Sequence, residues 1–248
     1  MGLILSLIGI VATVWLGFTG RLGLYIHPRY TVFTLIMALL AGVIAVIAFT
    51  VVPGKDDEHG HDDAPPPTRR GRVLRRGKTA GLVAIVVVAM FALLVLPPST
   101  LSAATAQERT VNAAAPAPNS SSIDSILTGA DTSTFTVKDW SLYLRMGASD
   151  DFLASHPAEV VGFVSADPDD PQNVFYVTRF TITCCAVDAT PIGLAVYLPG
   201  WSDRYHEGDW VSVNGSIVAN PSSSSAEPFA IAPSQVSPVA EPPEPYVY

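Results

Sequence analysis

NVFYVTRFTITCC, residues 173–185, decides how the second half of this 248-residue chain is read. It is dense in β-branched and aromatic side chains, which pack well on a pleated surface, so it reads as one long strand. Side chains alternate faces along a strand. Phe180, Ile182 and Cys184 then share one face, and Thr181, Thr183 and Cys185 the other. If the apolar face lines the core, Cys184 is buried and Cys185 is the more exposed thiol. A bulge at the strand end would instead turn both outward. These adjacent residues are the only cysteines in the chain.

Working outward, four more strands follow from the same pattern: residues 158–167, 192–199, 207–221 and 228–239. The turn-forming run DPDDPQN (167–173) separates the first from the quoted strand. FTVKDWSLYLRM (135–146) mixes a short strand with a helix starting near Asp139, whose carboxylate suits a first turn. The terminal EPPEPYVY has too much proline for a central strand. Glycines inside strands mark bends that let a small barrel close, and Gly162 and Gly215 stand at such positions. Residues 125–248 are therefore expected to form a mainly-β, OB-like five-stranded barrel with a peripheral helix. A β-sandwich with a peripheral helix is the alternative.

The first half has a different composition. Hydrophobic residues make up 49% of the chain and charged residues 15%, and the apolar excess lies near the N-terminus. Three uncharged runs cover residues 2–20, 30–53 and 79–98. Each approaches the ~20 residues that cross a bilayer core as a helix. The expectation is three transmembrane helices, about 2–20, 30–52 and 79–97, within a membrane region of residues 1–98. The connecting segment 53–78 carries seven basic residues, Lys55, Arg69, Arg70, Arg72, Arg75, Arg76 and Lys78. Basic loops stay cytoplasmic, which places the N-terminus inside and everything after Pro98 outside. The chain reads as a multi-pass protein of the cell membrane. The first run lacks the basic lead-in of a signal peptide. Residues 99–124, rich in Ala, Ser and Pro, read as a flexible outer tether.

Charge excludes one class of function. After Pro98 there are seventeen acidic residues against five basic ones. Nucleic-acid binding rests on cationic side chains that displace counterions, so no nucleic-acid partner is expected. The three apolar runs contain no ionisable residue. Substrate and ion paths through membranes generally use such groups, so the chain is not expected to transport anything alone; its expected surroundings are the lipid bilayer and a partner.

No nucleophile elbow, glycine-rich phosphate loop or H-E-x-x-H zinc motif occurs, so no enzyme is expected. The chemistry concentrates at Cys184 and Cys185, with Asp188 in the following turn and His206 in SDRYHEGD. Three readings of the thiols compete: small packing groups, a soft-metal or metalloid site of Cys184, Cys185, Asp188 and His206, and a strained vicinal disulfide acting as a redox switch. Zinc or another soft metal is the cofactor that the second would take. His59 and His61, among aspartates of the cytoplasmic segment, form a weaker metal candidate. His156, before Pro157, reads as a turn residue. His27, between Tyr25 and Tyr30, reads as part of an interfacial aromatic belt.

Several stretches together resemble one family. TGRLGLYIHPRY (19–30), GFV (162–164), RFTITCCAVDATPIGL (179–194), GDWVSVNGSI (208–217) and PYVY (245–248) are similar to the YcgQ-like family of bacterial membrane proteins. The resemblance implies a partner, a YcgR-like predicted permease, and hence a non-enzymatic accessory subunit. The family opens with two helices, whereas this chain adds a third apolar run and a long His/Arg segment. The expected function is a permease accessory protein that binds or senses a soft metal through the cysteine pair. The alternatives are an extracytoplasmic thiol-redox protein and an envelope scaffold domain with structural cysteines.

Overall fold

The computed structural model describes residues 2–51, 88, 91, 100–112 and 132–248. The chain divides into two units. Met1–Gly23 and Pro28–Ser99 form the first, and Leu24–His27 and Thr100–Tyr248 the second.

In the first unit, α1 (Gly2–Phe18) and α2 (Thr31–Val51) follow the first two apolar runs. They differ in reach. A helix rises 1.5 Å per residue, so a 17-residue α1 spans only ~26 Å, short of a ~30 Å hydrocarbon core. One described helix, Pro28–Ala48 with its entering turn, is long and apolar enough to cross a membrane. Its surface is apolar all round, with Val32, Phe33 and Ile44 more than 60% exposed. The expectation of three spanning helices is thus met by one near the N-terminus, of the kind that serves as an anchor or a signal sequence. The third run lies outside the described residues except for Val88 and Phe91, which are helical. The segment 53–78, with His59 and His61, also lies outside them.

The second unit is a mainly-β body. Its strands are β1 (Ala158–Ala166), β2 (Val174–Thr181), β3 (Thr190–Tyr197), β4 (Trp210–Ala219), β5 (Phe229–Pro238) and β6 (Tyr246–Val247). β1 pairs antiparallel with β2 through Phe163–Ala166 and with β4 through Ala158–Phe163. β2–β3 and β4–β5 are antiparallel, and β3 meets β5 in parallel at Val196 and Ile231. The pairings return to their start through β1, β4, β5, β3 and β2. Five strands were expected; the sheet has six, because β6 adds to β2 in parallel at Phe180 and Thr181. The proline-rich tail pairs only at that edge, where missing N–H donors cost least.

Two glycines make the ring possible. β1 changes partner beside Gly162, where a Cβ would come within 2.6 Å of the Thr178 carbonyl oxygen on β2. At Gly215 the β4–β5 register shifts by a bulge, and a Cβ would run into the Ala232 carbonyl. Inside the ring, Val164, Phe175, Val177, Val196, Val211, Val213 and Ile231 are each at most 1% exposed. Each such side chain contributes about 1.5–3 kcal/mol by leaving water.

Among the described residues, three short α-helices attend the ring: α3 (Ala103–Gln107), α4 (Val137–Arg145) and α5 (Asp150–Ser155). α4 begins two residues before Asp139. Thr136 is the true cap, and Asp139 closes a reciprocal capping box with it, which also removes the short strand expected there. α4 buries Trp140 completely among the ring's apolar side chains. His156 ends α5 with its ring stacked on Phe152 at 4.1 Å. Residues 100–112 are bound to the ring rather than forming a tether. Ala106 is 1% exposed, and the Asn112 side chain bonds Gly193 and Glu227.

Candidate thiol and carboxylate site

The β2–β3 ladder ends at Thr181 and Thr190, so residues 182–189 form the connection between these strands. Its two ends are anchored. Ile182 and Ala189 are 2% and 0% exposed, in a cluster with Phe163, Phe180 and Tyr246. The Arg109 guanidinium donates to the Ala189 carbonyl. The residues between these anchors turn outward.

Alternation holds through Phe180 and Ile182 and then fails. Cys184 is exposed and Cys185 half-buried, the reverse of the simple strand expectation. The reason is local. Asp188 accepts hydrogen bonds from the Thr183 amide at 3.1 Å and the Cys184 amide at 2.8 Å. Residues that would have continued the ladder therefore satisfy their backbone on a side-chain carboxylate. The Asp188 amide donates back to the Cys185 carbonyl at 3.0 Å, closing the 3-10 turn Ala186–Asp188. The loop thus wraps its own carboxylate and carries both thiols outward.

The two thiols are not joined in a disulfide and lie together, their Sγ atoms 3.4 Å apart. One ligand atom each from Cys184, Cys185 and Asp188 fall within 4.8 Å of one another. Asp188 accepts from the Cys184 thiol, and together with Cys185 this pushes the Cys184 thiol up to about 12. The same hydrogen bond holds the Asp188 carboxyl below its ordinary value, helped by the loop amides. Cys184 is thereby held as a protonated thiol beside a charged carboxylate.

His206, the fourth candidate ligand, is not part of this group. It stands in the turn before β4, 86% exposed at its side chain, with Nδ1 3.5 Å from Asp209.

Comparison with known families settles where the chain belongs. A model of the DUF1980 N-terminal domain matches residues 2–112, and one of the DUF1980 C-terminal domain matches residues 131–248. The chain belongs to the DUF1980 family. The thiol loop lies wholly in its DUF1980 C-terminal domain. No curated protein and no solved structure matches the chain.

Two features of this DUF1980 chain were not legible from the sequence. The first is a strip from the N-terminal half that pairs with the thiol loop. Ile26 bridges Cys185 in antiparallel fashion, the His27 amide donates to the Cys184 carbonyl at 3.0 Å, and the Ala186 amide donates to the Tyr25 carbonyl at 2.8 Å. No local signal links positions about 160 residues apart. The second is Arg179. Its guanidinium donates to the carbonyls of Val161, Glu244 and Tyr246 and lies over the Trp210 ring at 5.2 Å. It fastens β6, and with it Tyr248, beside the loop. Burial pushes its pKa down from the ordinary arginine value, with nearby acidic groups and Tyr248 opposing.

Proposed function

We propose that this protein is a membrane-anchored, non-enzymatic accessory subunit whose β unit, an OB-type barrel, binds or senses one thiophilic metal or metalloid ion through Cys184, Cys185 and Asp188. The observation that carries the reading is the convergence of these three ligand atoms within 4.8 Å on an outward-turned loop. Packing alone gives no reason to expose Cys184. Two thiolates and a carboxylate suit zinc and softer ions, and the acidic balance of the outer half attracts cations. The OB assignment is supported by the β1–β4–β5–β3–β2 ring with its parallel β3–β5 contact.

The partner in this reading is a membrane permease, and the protein resides in the cell membrane with its acidic unit outside. The apolar helix near the N-terminus supports an anchor; the resemblance to YcgQ-like proteins supports the partner. Purification from native membranes tests it. A permease should co-purify, and thiol titration of the full-length protein with cadmium added should find both cysteines protected. Recovery without any permease would overturn the partnership, and two thiols that titrate as readily with cadmium as without it would overturn the site.

A further inference from the structure

Three ligands leave a tetrahedral ion one position short, and structural zinc sites are almost always closed by four protein ligands. Among the described residues no histidine stands within the group as it is, and His206 sits in the exposed turn before β4 beside Asp209. The pairing at the loop presents another imidazole. Ile26 faces Cys185 across an isolated antiparallel bridge, and His27 and Cys184 are the next positions beside it. The His27 amide already bonds the Cys184 carbonyl at 3.0 Å. Residues directly opposite in such a pair carry their Cβ atoms on one face, ~4.5–5.5 Å apart. The His27 ring leans on Tyr248, centroids 4.8 Å apart. Binding an ion would require it to leave Tyr248 and turn toward the thiols.

We infer that His27 is the fourth ligand of the Cys184, Cys185 and Asp188 site, completing a tetrahedron of two thiolates, one imidazole and one carboxylate when a thiophilic ion binds. This rests on the reading of the loop as a metal site. It gives the site its closing ligand, and it means that an ion there ties the Tyr25–His27 strip to the β2–β3 loop by a coordinate bond as well as by backbone hydrogen bonds. Binding releases the thiol protons, and the neutral imidazole supplies its lone pair without charge.

Cobalt(II) titration of the full-length protein in detergent tests this, because its visible spectrum reports both thiolate ligation and coordination number. Wild type should show thiolate charge-transfer bands with the intense d–d bands of a tetrahedral site. His27→Phe keeps the ring stack and the backbone amide but has no ligand atom. It should weaken binding about 10–100-fold and alter the d–d envelope. Tyr248→Ala removes the stacking ring and should bind no more weakly than wild type. Wild-type affinity and spectrum in His27→Phe would overturn the inference while leaving the site intact. Equal losses in His27→Phe and Tyr248→Ala would also overturn it, by assigning the effect to the stack. If Cys184→Ser/Cys185→Ser binds as wild type does, the underlying site reading fails instead.

Discussion

Asp188 is the residue on which the loop turns. Its carboxylate holds two backbone amides and the Cys184 thiol at once. Asparagine has a single acceptor oxygen and no charge, so Asp188→Asn should let the Cys184 thiol fall from about 12 toward an ordinary value. Alkylation by iodoacetamide near pH 8 should then quicken roughly tenfold or more, as the thiolate fraction rises; an unchanged rate would detach Asp188 from the thiol. The pH dependence has a definite sign. A carboxyl held below its ordinary value stabilises the loop above the unfolded carboxylate pKa and loses that hold as pH falls through the folded value. Amide exchange at Thr183 and Cys184, corrected for intrinsic rates, should be slow at neutral pH and lose protection in acid. The sequence made the candidate trio legible, since Cys184, Cys185 and Asp188 lie within five positions. It could not show which way the thiols face, because strand alternation is a local rule and a side-chain carboxylate overrode it at Thr183.

At the scale of elements, the strands were readable because alternation and turn residues are local signals; β1, β3 and β5 match the expected runs to within two residues, whereas β2 stops four residues short of Cys185 and β4 starts three residues after Glu207. β6 was not, because two residues after a proline have no pattern, and their pairing depends on Arg179 reaching the carbonyls of Glu244 and Tyr246. Arg179→Ala should therefore release the terminal residues, seen as lost amide protection at Val247 with β1 to β5 unaffected. Protection that persists would show that Tyr246, itself buried, suffices. Gly162→Ala is expected to destabilise the β unit by about 1–3 kcal/mol, since the new methyl meets Thr178 backbone atoms, which cannot swing aside. Thr136→Ala removes the cap of α4 and should cost about 1 kcal/mol. Chemical denaturation of each variant measures both.

For the whole molecule, composition alone separated an apolar N-terminal half from an acidic C-terminal half. Hydropathy judged the apolar runs by composition; the described helices add length, and among them Pro28–Ala48 has enough of it. Alkaline carbonate extraction should leave the protein in the membrane pellet, and release to the supernatant would remove the anchor from the account. The central claim, however, concerns the thiol loop. Its most direct test is a competitive cadmium titration of the full-length protein and its Cys184→Ser/Cys185→Ser variant. One ion per chain in the wild type, with affinity at least about 100-fold weaker in the variant, is the result predicted. Equal stoichiometry and equal affinity in the two proteins would contradict it.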